Sequence, residues 1–177
     1  MAHLKHTTWH TQRGLTLVEL MVTIAVIAIL ATTAVSTMSN MRAKQQVIAA
    51  AEEVASKLQR TKSLARKFTS DIELQMSHSI TGSTDYGLTG LSVVNSENGN
   101  VVDQLDFALH SNVRFKTNLI DHVIKFDHIR GITTDYGSIF VEKTQGGTKF
   151  EAKVVIGSSG RVRICSESNL SRYESCS

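Results

Sequence analysis

Proline is absent from the 177-residue sequence, and cysteine occurs only twice. Charged residues make up 20% of the chain and apolar residues 41%. This balance excludes a disordered tail protein, a collagen-like repeat and a polytopic membrane protein. The length fits about one domain of ordinary size.

Neither sign of charge dominates the sequence. The 19 Lys and Arg residues stand against 16 Asp and Glu residues, which gives a net charge of +3. So small an excess does not by itself indicate a nucleic-acid partner, and any basic site has to come from local clustering.

The signatures of common catalytic sites are also lacking. The P-loop, the GxSxG elbow and the HExxH motif are absent. Four histidines lack the cysteine or paired-ligand spacing that is typical of zinc sites: His78, His110, His122 and His128. The sequence therefore predicts a protein that is not an enzyme and that has no metal site and no cofactor.

One long apolar run follows a polar N-terminal segment. Residues 15–35 contain a single charged side chain, Glu19. As a helix rising about 1.5 Å per residue, this run would extend roughly 31 Å, close to the thickness of the hydrocarbon core of a bilayer. A secretory signal is cleaved after its apolar region, but here the small residue Gly14 precedes the run. Cleavage after Gly14 would leave the hydrophobic helix on the mature protein.

The carboxylate of Glu19 lies near the start of this membrane-compatible helix. Such a charge costs several kcal/mol unless it stays hydrated or finds a partner. In one interpretation Glu19 lies close enough to the interface to remain in water. In the other it pairs with the new α-amino group of Leu15 on a neighbouring chain.

The N-terminal segment resembles the class III signal of type IV pilins and pseudopilins. The resemblance is carried by residues 14–21, GLTLVELM, after a short basic leader. It implies that a prepilin peptidase removes residues 1–14, that Leu15 is N-methylated, and that Glu19 helps to dock the subunit into a filament. It also implies a single-pass inner-membrane protein with a periplasmic C-terminal domain, assembled with other major and minor pilins or pseudopilins into a pilus or pseudopilus. Leu15 stands where the family most often has phenylalanine.

The helical pattern continues through residues 38–68, which contain no glycine or proline. Apolar side chains recur there at spacings of three, four or seven residues, and they predict one buried face: Val47, Ala51, Val54, Leu58, Ala65 and Phe68. Seven basic residues against Glu52 and Glu53 give this segment a net charge of +5. The basic residues indicate either a solvated helix face or a DNA-binding stripe.

From Ile72 onward, short apolar runs separated by turn residues predict β-strands over 72–76, 90–95, 101–109, 123–126, 138–141, 148–156 and 161–165. The sequence therefore predicts an α+β fold, in which a long N-terminal helix with a membrane-spanning first half packs on an antiparallel β-sheet. The predicted parts are a leader 1–14, a transmembrane or filament-core half-helix 15–41 and a periplasmic domain 42–177. The domain comprises the half-helix 42–68, the β-rich region 72–165 and the tail 165–177.

The last two predicted strands carry a set of basic side chains. If their apolar residues face the core, the basic residues share the outer face: Lys149, Lys153, Arg161 and Arg163. Residues two apart on a strand are separated by about 6.6–6.8 Å, close to the phosphate spacing along one DNA strand, and guanidinium groups bind phosphates bidentately. Arg172 in the tail would join this set, opposed by Glu167 and Glu174. The alternative is an edge hairpin that its charge keeps soluble.

The C-terminal region resembles the FimT/GspH-type minor pilins and pseudopilins. The resemblance is carried by YGLTG at 86–90, VIKFD at 123–127 with RG at 130–131, and GRVR at 160–163. The GRVR segment resembles the FimT branch, which implies non-specific binding of extracellular double-stranded DNA during natural transformation. The alternative is a structural GspH-like pseudopilin of a type II secretion system, which has no use for DNA. Export would place Cys165 and Cys176 in an oxidising compartment, where a disulfide is expected and two lone thiols are the alternative.

Overall fold

The structure, a computed structural model, describes residues 16–80, 86–110, 112–133, 135–168 and 170–176. The described residues form two compact units, which are divided between Met38 and Ser39. The predicted processing site at Gly14 and Leu15 lies outside the described residues.

Helix α1 extends over Leu17–Phe68, close to the predicted 15–68. It begins after Thr16, whose Oγ1 accepts a hydrogen bond from the Glu19 N–H at 3.2 Å, as an N-cap side chain does. It ends at Phe68, because Thr69 has a left-handed backbone with φ of 51°.

In the first unit, the described part of α1 exposes its large apolar side chains. They are Leu17, Val18, Leu20, Met21, Val22, Ile24, Val26, Ile27, Ile29 and Leu30. In the described part of the chain, no helix combines the length and the hydropathy needed to cross a membrane.

The second unit contains the C-terminal half of α1 and two four-stranded sheets. The strands are β1 Ile72–Ile80, β2 Tyr86–Asn95, β3 Val101–Asp106, β4 Arg114–Thr117, β5 Val123–Phe126, β6 Gly137–Gln145, β7 Thr148–Ile156 and β8 Val162–Cys165. One sheet has the order β3-β2-β1-β5 and the other has the order β4-β6-β7-β8. All the strand pairs are antiparallel. The α+β class and the antiparallel pairing agree with the prediction, but two sheets replace the single sheet that was expected.

Several strand boundaries differ from the prediction for local reasons. The strand predicted over 101–109 stops at Asp106, whose carboxylate accepts a hydrogen bond from the Ala108 N–H at 2.8 Å and begins a 3-10 turn. Strand β8 begins at Val162, because the Arg161 carbonyl closes the preceding turn by accepting from the Gly157 N–H at 3.0 Å. Strand β4 was not predicted, and β5 and β7 have the predicted bounds.

The core of the second unit lies between the helix face and the sheets. The predicted helix positions Val47, Ala51, Val54, Leu58 and Ala65 are all fully buried. Phe68 was assigned to the same face, but its side chain is 46% exposed, because the helix ends there. The largest buried side chains from the strands include Ile72, Leu74, Leu91, Ile124, Phe126, Ile139 and Ile156.

Candidate nucleic-acid interface

The hairpin of β7 and β8 has the alternation that the sequence predicted. In β7 the buried side chains are Phe150, Ala152, Val154 and Ile156. Of the two lysines that alternate with them, Lys149 is exposed and Lys153 is half-buried. In the register of the hairpin, Val155 pairs with Arg163 and Lys153 pairs with Cys165. Because directly opposed residues in an antiparallel pair point to the same face, Lys153 and Arg163 belong to the outer face of this sheet.

Arg161 and Arg163 lie at the turn end of the hairpin, and both side chains are exposed. They line a shallow pocket of about 440 Å³ together with Val155 and the tail residue Glu174. Arg161 makes no ion pair with a carboxylate in the described part of the chain. This guanidinium is therefore available to an anionic ligand.

Lys149 lies at the far end of β7 and is held by two carboxylates. Its Nζ lies 2.9 Å from Glu142 Oε2 and also contacts Glu151. The hydrogen bonds to Glu151 and Glu142 raise the pKa of Lys149 well above its usual value. Burial alone would raise the pKa of Glu142, but the hydrogen bonds from Lys149 and Lys116 outweigh it, and the pKa is lowered. The predicted phosphate ligand Lys149 is thus neutralised within its own sheet.

Lys153 is nearer to the two arginines, but it has a different neighbour. Its Nζ lies 5.4 Å from the centre of the Phe140 ring, within the range of a cation–π interaction. Its side chain is only half exposed. Lys153 therefore keeps its positive charge on the outer face without a carboxylate among its recorded contacts.

The tail is fixed by the predicted disulfide, because Cys165 and Cys176 are bonded with their Cα atoms 5.1 Å apart. Arg172 Nη2 lies 3.0 Å from Glu52 Oε1 on α1, and the Tyr173 hydroxyl donates to the same oxygen at 3.2 Å. Burial, together with the Glu52 carboxylate, raises the pKa of Tyr173 to about 12. Arg172 was expected to join the hairpin arginines, but it is paired with the helix instead.

Lys62 is a residue of this region that the sequence did not single out. Its Nζ donates hydrogen bonds to the carbonyl oxygens of Ser159 at 3.3 Å and Gly160 at 3.0 Å, in the turn before Arg161. The only sequence signal was the excess of positive charge on the helix, which does not reveal that one lysine fastens a turn almost a hundred residues away.

At the other end of the chain, Glu19 is exposed in the first turn of α1. A negative charge there is favourable because the N-terminus of a helix carries partial positive charge. This local role was not predicted, although the Thr-x-x-Glu spacing from Thr16 to Glu19 signals it. In the described part of the chain, no group of three or more His, Cys, Asp or Glu side chains is placed to hold a metal ion.

Comparison with known proteins gives two kinds of match. Residues 9–35 match the family described as the prokaryotic N-terminal methylation motif. The fold is similar to that of the type IV minor pilin FimU of Pseudomonas aeruginosa PAO1, with a TM-score of 0.53 and 18% identity over 68% of this chain and 88% of that chain. A second crystal form of FimU gives a TM-score of 0.47 and 21% identity over 66% and 90%. No curated protein matches the sequence.

The two matches cover complementary parts of the prediction. The motif includes Gly14, Leu15 and Glu19 as well as the apolar run. The structural similarity confirms the predicted pilin fold, a helix packed on antiparallel strands.

Proposed function

We propose that this chain, which is type IV pilin-like in its N-terminal motif and in its fold, is a minor pilin that binds extracellular double-stranded DNA non-specifically during natural transformation. The methylation motif and the similarity to FimU support the pilin part of the proposal. The exposed arginines of the β7–β8 hairpin support the DNA part.

The proposed life cycle follows from the motif. A prepilin peptidase cuts after Gly14 and leaves Leu15 as the N-methylated first residue. The apolar half of α1 anchors the chain in the inner membrane, with the second unit in the periplasm, until the subunit joins other pilins in a filament. The exposed apolar side chains between Leu17 and Leu30 support this step, because such a surface needs lipid or partner helices to cover it.

The observation that carries the DNA proposal is the pair Arg161 and Arg163. Both are exposed near the turn of the hairpin, and Arg161 has no carboxylate partner in the described part of the chain. Two arginine–phosphate contacts give a salt slope of about −2 and weak, sequence-independent binding in the micromolar range. Readout of base edges is not part of the proposal, since the contacts are to the backbone.

The test is fluorescence anisotropy of the full chain in a neutral detergent against a short DNA duplex, at about 50 and 200 mM salt. We expect Arg161→Ala/Arg163→Ala to weaken binding on the order of tenfold and to lower the magnitude of the salt slope by about 2. The matched control is Lys149→Ala/Arg172→Ala, which removes the same charge but only from carboxylate-paired residues. Equal losses in the two variants would show that binding follows net charge, and undetectable wild-type binding at tens of micromolar would reject the DNA proposal.

A second candidate is a GspH-like structural pseudopilin of a type II secretion system, without DNA binding. It is favoured by the ion pairs of Lys149 and Arg172, which leave fewer free cations on the hairpin than its sequence suggests. In that case the hairpin contacts other pseudopilins. Absence of DNA binding, with normal incorporation into a secretion pseudopilus, would establish this alternative.

A further inference from the structure

The basic side chains of the second unit differ in whether they contact a carboxylate. Six contact a carboxylate, and these are Lys57, Arg60, Lys116, Lys125, Lys149 and Arg172. Five are exposed and form no ion pair within the described part of the chain: Arg42, Arg66, Lys67, Arg130 and Arg161. These five exposed cations, which have no carboxylate partner in the described part of the chain, are candidates for contact with an anionic ligand.

Three of these five lie beside two buried glycines, either in the chain or in space. Gly131 follows Arg130, and Gly160 precedes Arg161. A Cβ added at Gly131 would lie 2.8 Å from Arg66 Nη2 and 3.1 Å from Arg66 Nε, so this guanidinium lies directly against the Gly131 backbone. A Cβ added at Gly160 would collide with the Gly131 carbonyl oxygen, so the two loops are in backbone contact.

Lys62 joins this arrangement from the helix. Its Nζ donates to the Ser159 and Gly160 carbonyl oxygens, which leaves its charge without a carboxylate there. We call Lys62, Arg66, Arg130 and Arg161 the basic corner. It is built from three parts of the sequence, namely the end of α1, the loop between β5 and β6, and the turn between β7 and β8.

The carboxylates nearest in sequence are already engaged. Asp127 Oδ1 accepts hydrogen bonds from the backbone N–H groups of Ile129 at 2.9 Å and Arg130 at 2.6 Å. Asp71 pairs with His128 at 2.8 Å and with Lys125 at 3.7 Å. Neither of these two carboxylates forms an ion pair with Arg66, Arg130 or Arg161 in the described part of the chain.

We infer that the basic corner is a second phosphate-binding segment, continuous with Arg161 and Arg163, so that a nucleic-acid backbone bound at the hairpin continues over the end of α1 and the β5–β6 loop. The inference rests on the proposed function and extends its site to residues that the hairpin sequence does not include. Three of the five exposed cations without an ion pair in the described part of the chain lie at this one junction, and this clustering favours a binding site over charge that serves only solubility. The Lys62 hydrogen bonds and the packing of Arg66 on Gly131 also restrict these long side chains before binding, which lowers the entropic cost of ordering them.

The test compares three double variants of the full chain in neutral detergent, each lacking two positive charges: Arg66→Ala/Arg130→Ala, Arg161→Ala/Arg163→Ala and Lys149→Ala/Arg172→Ala. Anisotropy with a short DNA duplex is measured at several salt concentrations, and thermal melts verify folding. We expect the corner variant to bind on the order of tenfold more weakly than wild type and to lower the magnitude of the salt slope by about 2, as loss of two phosphate contacts requires. The carboxylate-paired control should stay near wild type.

The outcomes separate this inference from the proposed function. If the hairpin variant loses binding while the corner variant matches the control, the inference is overturned and the proposed site stands. If the corner variant alone loses binding, the corner is supported and the hairpin assignment fails. If the wild type does not bind duplex DNA, both fail together. Arg66 also lies in the last turn of α1, so its replacement by alanine can affect the helix as well as binding. Arg66→Lys/Arg130→Lys, which keeps both positive charges, therefore serves as a second variant. If this variant does not retain most of the wild-type salt slope, the result counts against phosphate binding.

Discussion

Gly160 has a left-handed backbone conformation in the turn between β7 and β8, with φ of 68°. A Cβ there would collide with the Gly131 carbonyl oxygen and would lie 3.1 Å from Lys62 Nζ. Gly99 has almost the same φ, 69°, but a Cβ there would have no heavy atom within 4 Å. Comparison of these two glycines therefore separates the cost of the backbone conformation from the cost of crowding between the loops.

We expect Gly99→Ala to lower the free energy of unfolding by about 1–2 kcal/mol, because only the positive φ is unfavourable for alanine. Gly160→Ala should lower it by roughly 2–4 kcal/mol, because the two loops must also move apart. Urea unfolding of both variants measures the difference. Equal losses would mean that the contact between Gly160 and Gly131 contributes nothing to stability.

The sequence did not reveal which basic residues of the candidate site are paired with carboxylates. Lys149, Arg161 and Arg172 are equivalent as positive charges in the sequence. They differ in the structure because Glu142 comes from the neighbouring strand and Glu52 from the helix, while no carboxylate is paired with Arg161 in the described part of the chain. Which cations are free is a property of tertiary pairing, and strand alternation alone does not determine it.

The local sequence pattern predicted the helix and the strands in which buried side chains recur at a regular spacing. Strands β5 and β7 have the predicted bounds, because buried side chains occupy every second position in both. Strand β4 was missed, because its four residues contain one buried side chain, Phe115, and its position comes from pairing with β6. The division into two sheets was missed for the same reason, since pairing between distant strands leaves no local signal.

The C-terminal tail is attached to the second unit by several independent contacts. Besides the disulfide, Ser166 Oγ donates to the Glu151 carbonyl oxygen at 2.6 Å, and Ser168 Oγ accepts from the Glu151 N–H at 2.7 Å. Leu170 is buried in the core. The tail is therefore an edge element beside β7, and the disulfide restricts mainly the unfolded chain.

We expect Cys165→Ser/Cys176→Ser to keep the fold while the free energy of unfolding falls by about 3 kcal/mol, from the larger entropy of an open loop in the unfolded state. Guanidinium unfolding with and without reductant measures the loss. Reductant should shift the wild-type curve to the same midpoint and should leave the double variant unchanged. A wild-type curve that is insensitive to complete reduction would contradict this role of the disulfide.

For the whole molecule, the amino-acid pattern predicted the order of the helix and the β-rich region along the chain. It did not predict where distant segments contact each other. The apolar run, the amphipathic half-helix and the β-rich region each have a pattern that extends over many residues. The basic corner has none, because Arg66, Arg130 and Arg161 are far apart in the chain and are brought together by the approach of two glycines. A site formed where distant segments meet cannot be predicted from local patterns in a single sequence.

The position of Glu19 supports two roles, one in filament assembly and one in the stability of the helix terminus. In the proposed filament it pairs with the α-amino group of Leu15 on a neighbouring subunit. In the isolated chain it lies in the first turn of α1, where its N–H is capped by Thr16 and its charge favours the helix terminus. A substitution at Glu19 alone would remove both contributions and could not distinguish them.

The distinction requires Glu19→Gln beside Thr16→Ala in the native bacterium. Glu19→Gln preserves side-chain size but removes the charge, so we expect the subunit to be processed and membrane-inserted yet almost absent from sheared filaments. Thr16→Ala removes the capping oxygen, which costs about 1 kcal/mol of helix stability, and should leave incorporation near wild type. Immunoblots of the filament and membrane fractions measure the ratio. Equal loss in both variants would instead assign Glu19 to the helix terminus, because a charge that works only between subunits does not depend on a hydroxyl three residues away.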